Sequence, residues 1–234
     1  LYNGNYEQAE ALSSEVIDQK PLSLTPDYSS IFINSDEEET LLEIPFDQRS
    51  GYNALSALTL PSGEPYNGTA GTPLVVYRQD GISPLLELYT EEDIRFQETL
   101  YQQNGEHYIV KYTSINNFDA ISLMRVPEIL LIYAEAAARN AGSVTQKAFD
   151  AYNRVRTRAG VPSDISEFSS VDAFINEIVE EKRREMVLEG EAWFDYVRAG
   201  KADELGVTNP DFHIYPIPQI ELDVNRKLEQ NPGY

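Results

Sequence analysis

Apolar residues recur at intervals of three and four in several stretches of the chain, and those stretches are its predicted helices. The first runs from Gly4 to Ile17, with Tyr6, Ala9, Leu12 or Ser13, and Val16 on one buried stripe, and Lys20-Pro21 stops it. A stronger signal opens at Val126, where Pro127 suits a first turn, and continues from Glu128 to Asn140 until Gly142. Thr145 to Arg158 carries Ala148, Tyr152 and Val155 on one side and ends at Gly160 and Pro162. Ser170 is a suitable cap for a long helix with Asp172 in its first turn. Its stripe is Val171, Phe174, Ile175, Ile178, Val179, Met186, Trp193 and Val197, which puts Trp193 in the core. Gly190 interrupts or bends that helix and Gly200 closes it; Glu180 and Arg184 make an i,i+4 pair on its other side.

Residues 22–122 lack sustained helical periodicity. Leu41 to Ile44, Leu74 to Tyr77 and His107 to Tyr112 read as short strands, separated by loops such as Ser62 to Gly68 and Gly71-Thr-Pro73. A turn or two of helix is expected over Glu91 to Tyr101, with Thr90 as its cap. The acidic run Asp36 to Glu39 reads as a solvated loop. At the far end, Pro216 and Pro218 hold an extended backbone and Asn231-Pro-Gly233 is turn chemistry.

The helices have a repeat signature. Pro127 through Gly160 spans the 34-residue period of a tetratricopeptide helix pair, and Ala134, Ala136, Ala137 and Ala138 permit close helix approach. Gly4, Tyr6, Ala9 and Pro21 are spaced like the second helix of such a unit, whose first helix would lie before Leu1. The expected fold is therefore mainly α, with helical-repeat elements and an irregular loop-and-strand segment. It is organised as a truncated repeat over 1–21, the irregular segment over 22–122, and a helical repeat, long helix and extended tail over 123–234.

Several motifs together resemble the SusD/RagB family of nutrient-binding outer-membrane lipoproteins. They are Gly4-Asn-Tyr-Glu-Gln-Ala9, Asp93-Ile-Arg95, and Arg125-Val-Pro-Glu-Ile-Leu-Leu-Ile-Tyr-Ala-Glu135-Ala. Further along come Glu181-Lys-Arg-Arg-Glu-Met186, Glu189-Gly190, Trp193-Phe-Asp195 with Arg198, and the Pro216-Ile-Pro218 to Gln230-Asn-Pro-Gly-Tyr234 tail. Lys182 and Ala192 depart from the family pattern, in which Arg is usual at both places. The resemblance covers nearly the whole chain as a C-terminal portion. It implies a SusD-like α/α superhelix on the outer face of a Gram-negative, Bacteroidetes-type outer membrane. Such a protein captures oligo- or polysaccharides, or in RagB-like branches peptides, for a TonB-dependent, SusC-like transporter. A signal peptide, the lipid-carrying cysteine and the first two repeats would then precede Leu1, so this chain meets the membrane only through that anchor. The Arg, Glu and Asp of these motifs are expected to be buried pairs that tie helices together.

Composition narrows the chemistry further. With 18 Lys and Arg against 39 Asp and Glu, the net charge of −21 disfavours nucleic acid and anionic membrane surfaces. The absence of cysteine rules out disulfides, thiol nucleophiles and Cys-bound zinc within these residues. No apolar run is long enough to span a bilayer as a helix. His107 and His213 stand in no catalytic signature, so no enzyme activity is expected and a glycoside hydrolase is the remote alternative. No cofactor is expected; a structural calcium ion stays open, because the carboxylates lack an ordered ligand spacing.

Tyrosine is the unusual abundance. Ten of the 15 lie between Tyr2 and Tyr112, which directs attention to the irregular segment for sugar stacking. The candidate ligand residues are Tyr52, Tyr66 with Asn67, and Tyr77 with Arg78, with Gln48 and Arg49 as nearby polar groups. A peptide-binding repeat adaptor is the alternative, and it would use a groove lined by the helices.

Overall fold

A computed structural model describes residues 1–19, 23–32, 38–49, 51, 53–62, 71, 77–78, 85–114 and 118–234, with Tyr77 and Arg78 as backbone only. Residues 74–76 of the strand predicted over Leu74 to Tyr77, and most of the loops predicted over 62–68 and 71–73, lie outside the described residues. The chain divides into two compact units, Leu1–Gly190 and Glu191–Tyr234.

The first unit is built on helices α1 (Tyr6–Gln19), α2 (Leu55–Thr59), α3 (Ile94–Thr99), α4 (Val126–Ala141), α5 (Gln146–Arg158) and α6 (Val171–Glu185). Its strands are β1 (Thr40–Ile44), β2 (Tyr77–Arg78), β3 (Leu100–Gln103), β4 (Glu106–Ile109) and β5 (Ile121–Arg125). Helix dominates among the described residues, as the periodicity predicts.

Helix α4 is the hub and packs against α1, α5 and α6. Pro127 sits in its first turn, where a missing N–H costs nothing, and Gly142 ends it in the left-handed conformation at φ 63°. Ala134, Ala136, Ala137 and Ala138 are all buried, so neighbouring backbones can come close. Helix α5 starts at Thr145, whose hydroxyl accepts from Ala148 N at 3.2 Å. Between α5 and α6, Tyr152, Phe168 and Phe174 form edge-on pairs with centroids 4.9–5.7 Å apart.

The buried stripe of α1 runs through Ser13, not Leu12, which is exposed. Val16 is also on the open side, and Ile17 packs into the core in its place. Burial of Ser13 is cheap because its hydroxyl donates to Ala9 O within the helix at 2.6 Å.

Two small antiparallel sheets brace this scaffold. Strand β1 pairs with β5, setting Thr40 opposite Arg125, and β4 lies between β2 and β3. The β3–β4 connection is a hairpin through Asn104 and Gly105, both at positive φ (54° and 81°). An Asn-Gly pair favours that turn because its twist matches the strands. This hairpin is longer than the single strand expected over His107 to Tyr112. The short helix expected from Glu91 begins instead at Ile94, and its cap is Asp93, not Thr90.

The predicted long helix is interrupted before Gly190, not bent, and forms two helices. Helix α6 stops at Glu185, and Leu188 and Gly190 take positive φ values of 63° and 94° before α7 (Ala192–Arg198) begins the second unit. That unit continues through 3-10 turns at Ala202–Leu205 and Pro210–His213 to α8 (Gln219–Val224). Trp193 is partly buried there rather than a core residue. The tail closes the unit: Gln230 pairs with Ile217, and Asn231 Nδ2 donates to Tyr215 O at 2.7 Å.

Candidate functional site

The family-like Arg and Glu residues converge in a buried lattice of charge in the first unit. Arg125, fully buried at the β5–α4 junction, uses all three guanidinium nitrogens. Nη1 reaches Glu39 at 2.7 Å and Glu185 at 3.0 Å; Nε and Nη2 hold Glu189 at 2.9 and 2.7 Å. Arg158, at the end of α5, shares Glu185 and also contacts Glu39 at 3.2 Å. Arg95 is bidentate to Asp93 at 2.7 and 2.9 Å, and reaches Glu181 at 2.6 Å and Glu185 at 3.0 Å. Arg184 and Arg156 bind Glu181 at 2.9 and 3.2 Å, Arg184 also binds Glu177, and Lys111 binds Glu189.

Among the described residues these six cations meet six carboxylates, so their formal charges balance. Such pairing is what permits ions to lie in a low-dielectric interior. Burial alone would raise the pKa of Glu181, but Arg95, Arg184 and Arg156 outweigh it and hold the group at about 2. Glu185 and Glu189 are lowered for the same reason, with burial opposed by neighbouring cations. Glu39 goes the other way: burial and the Glu185 carboxylate raise it despite Arg158 and Arg125. Burial brings Lys111 down to about 8 against the pull of Glu189.

Two expectations change here. Glu39 belongs to the acidic run read as a solvated loop, yet it is fully buried and accepts from Thr25 N at 2.7 Å. Arg184 is buried facing Glu181 and Glu177 instead of lying on an exposed helix face. The expectation that the motif charges are structural agrees with this burial.

The lattice also positions the irregular segment. Glu39, Asp93, Arg95 and Lys111 come from that segment, and their partners come from β5, α5, α6 and the residues just after α6. The stretch from 40 to 92 therefore begins and ends at points pinned to the helical scaffold. Gln48 and Arg49 are exposed within it, and Arg49 N donates to Asp47 at 2.7 Å. Tyr52, Tyr66 and Asn67 lie outside the described residues. Tyr77 and Arg78 form β2, opposite His107 and Glu106 of β4.

Two open clefts are relevant. One of ≈ 630 Å³ runs beside α5 and is lined by Leu24, Pro26, Asp150, Asn153, Arg154, Thr157 and Arg158. The other, ≈ 360 Å³, lies in the second unit among Trp193, Val207, Phe212, Tyr215 and Tyr234. Sequence reasoning missed this second cleft, because its rings meet only when the tail folds back. Among the described residues, no group of three or more His, Cys, Asp or Glu is arranged to hold a metal ion, and no helix is long and apolar enough to cross a membrane.

Residues 95–210 match the SusD family. SusD-like protein P38 of Formosa agariphila is 31% identical over 162 residues, covering 61% of this chain and 32% of that protein. SusD-like protein P2 of the same organism is 36% identical over 129 residues, covering 47% of this chain and 25% of that protein. The alignments thus span a quarter to a third of these curated relatives. Among solved structures, surface glycan-binding protein A from Bacteroides thetaiotaomicron superposes with a TM-score of 0.78 at 25% identity. That match covers 99% of this chain and 60% of the other. The protein of that name and organism in complex with laminarihexaose gives a TM-score of 0.78 at 26% identity, covering 98% and 61%.

Proposed function

Because the chain belongs to the SusD family, we propose that it is part of a cell-surface protein that captures nutrient glycans without cleaving them. The captured oligo- or polysaccharide passes to a TonB-dependent transporter in the outer membrane, on whose extracellular side the protein sits. One observation carries the reading: a fold matched along its whole length by a glycan-binding surface protein, one form of which holds laminarihexaose. The placement of charge supports it. The buried ion lattice employs Asp93, Glu181, Glu185 and Glu189 of the motifs in holding the scaffold together, and it anchors both ends of a Tyr-bearing segment from which ligand contacts can be made.

In this reading Tyr52, Tyr66 and Tyr77 supply ring faces, and Asn67 and Arg78 bind sugar hydroxyls. Affinity electrophoresis in gels containing laminarin, starch, xylan or mannan tests it, with isothermal titration against the retarding glycan. The expected result is retardation by at least one polysaccharide and weaker binding by the Tyr52→Ala, Tyr66→Ala and Tyr77→Ala variants. Migration unchanged by all the glycans would overturn glycan capture. Wild-type binding by all three variants would overturn this choice of residues.

A further inference from the structure

We propose that the aromatic cleft of the second unit is a saccharide-binding site, separate from the candidate residues of the irregular segment. The inference rests on the glycan-capture reading and adds to it a place built in part from the family-like motifs, which supply Trp193 and Tyr234. Trp193 and Tyr215 face one another with ring centroids 6.0 Å apart and planes inclined by 42°; Phe212 and Tyr234 make a second pair at 5.2 Å and 45°. Neither pair is stacked face to face, and much of each wall stays open to solvent: Phe212 is 40%, Tyr234 51% and Tyr215 60% exposed. In the described chain these rings form an open apolar face of the kind that marks binding sites.

The cleft is built rather than incidental. The Tyr215 carbonyl is gripped by Asn231, and the Tyr234 hydroxyl donates to Ile214 O at 3.1 Å. Gly233, at φ +91°, brings the tail so close to the 211–212 turn that a Cβ would stand 2.7 Å from Asp211 Cβ. Ring positions are therefore set before any ligand arrives, which lowers the entropy cost of binding.

Charge and size select the ligand class. None of the lining side chains is charged, although the chain as a whole carries −21 and Asp211 adjoins Gly233. A neutral ligand enters without losing ionic hydration, whereas an acidic ligand or a second copy of the chain meets repulsion. At ≈ 360 Å³ the cleft is at the small end of the range for small-ligand sites, about 300–1,000 Å³. A short run of pyranose rings fits these demands: C–H faces lie on the rings, and hydroxyls reach the wet tyrosine tips.

Trp193 is the sole tryptophan, so its fluorescence reports on this cleft alone. The test takes the glycan that retards the chain in electrophoresis and titrates its hexasaccharide while recording Trp193 emission. A saturable change is expected. Affinity should fall about tenfold in Phe212→Ala and Tyr215→Ala and recover in Tyr215→Phe, with circular dichroism matching wild type throughout. If no polysaccharide retards the chain, glycan capture fails and this site falls with it. If a glycan binds but Trp193 emission is unchanged and both alanine variants bind as wild type, this site alone is refuted.

Discussion

The side-chain amide of Gln230 pairs with both backbone groups of Ile217. Its Nε2 donates to Ile217 O at 2.9 Å, and its Oε1 accepts from Ile217 N at 2.8 Å. The same oxygen accepts from Asn231 N at 2.8 Å, so one residue fastens the tail to the proline-stiffened segment. Gln230→Ala removes all three bonds. The second unit should lose about 1–3 kcal/mol of local stability, because the pair is partly buried and each bond contributes about 1 kcal/mol net. Hydrogen exchange at the Ile217 amide is the direct measure, and protection equal to wild type would refute the clasp.

Gly233 should not tolerate a side chain. Gly233→Ala combines an unfavourable backbone region with contact distances of 2.7 Å to Asp211 Cβ and 3.1 Å to Phe212 Cε1. We expect a cost of about 1–3 kcal/mol, concentrated in the second unit. Displacement of Tyr234 should change Trp193 emission in the absence of ligand; an unaltered spectrum would count against the packing described.

Arg125 and Tyr28 allow a contrast in magnitude. Arg125→Met leaves Glu39, Glu185 and Glu189 short of a buried partner, and should cost about 3–5 kcal/mol. Tyr28→Phe removes a single 2.7 Å hydrogen bond to Glu185 O, a carbonyl that Arg125 also serves at 2.9 Å. Its cost should be about 1 kcal/mol. Urea unfolding of the two variants measures the difference, and equal losses would mean that the lattice is not a unit.

Acid should loosen the first unit. Glu181, Glu185 and Glu189 have folded pKa values below the usual 4.5, Glu181 at about 2. The unfolded chain therefore takes up protons first as pH falls. The stability these groups contribute is complete above the unfolded value and is lost as pH drops from there through the folded values. Glu39, raised on folding, works in the opposite direction and offsets a part. The urea midpoint should fall between about pH 6 and about pH 3; a midpoint constant across that range would overturn the assignment. On the basic side, Lys111 at about 8 is neutralised more readily when folded. Its contribution to stability should therefore rise from about pH 8 toward the unfolded value of 10.5.

Parts of this architecture were legible along the chain because their signals are local. Helices α4 and α5 announce themselves through Pro127, Gly142, Thr145 and a 3.6-residue stripe, each acting within a turn or two of its own position. The Asn104-Gly105 pair was an equally local hairpin signal that the strand pattern alone did not use. Other features had no local signal. Leu12 and Ser13 fit the periodicity of α1 almost equally, and the choice between them depends on where α4 lies. The end of α6 is set by the ion lattice and the left-handed residue Leu188, not by the apolar stripe, which continues to Trp193 and Val197.

The sequence by itself determined the class of elements, their order and the motifs that mark a SusD-family chain, since those depend on residues near one another along the backbone. Tertiary structure decided which charges and rings have work to do. Nothing in Asp36 to Glu39 distinguishes the last carboxylate from its neighbours until β1 pairs with β5 and brings Glu39 against Arg125. Likewise Phe212, Tyr215 and Tyr234 are scattered aromatics until Gly233 and Gln230 fold the tail back over Ile217. Burial and pairing are relations between distant parts of a chain, and only a fold brings those parts together.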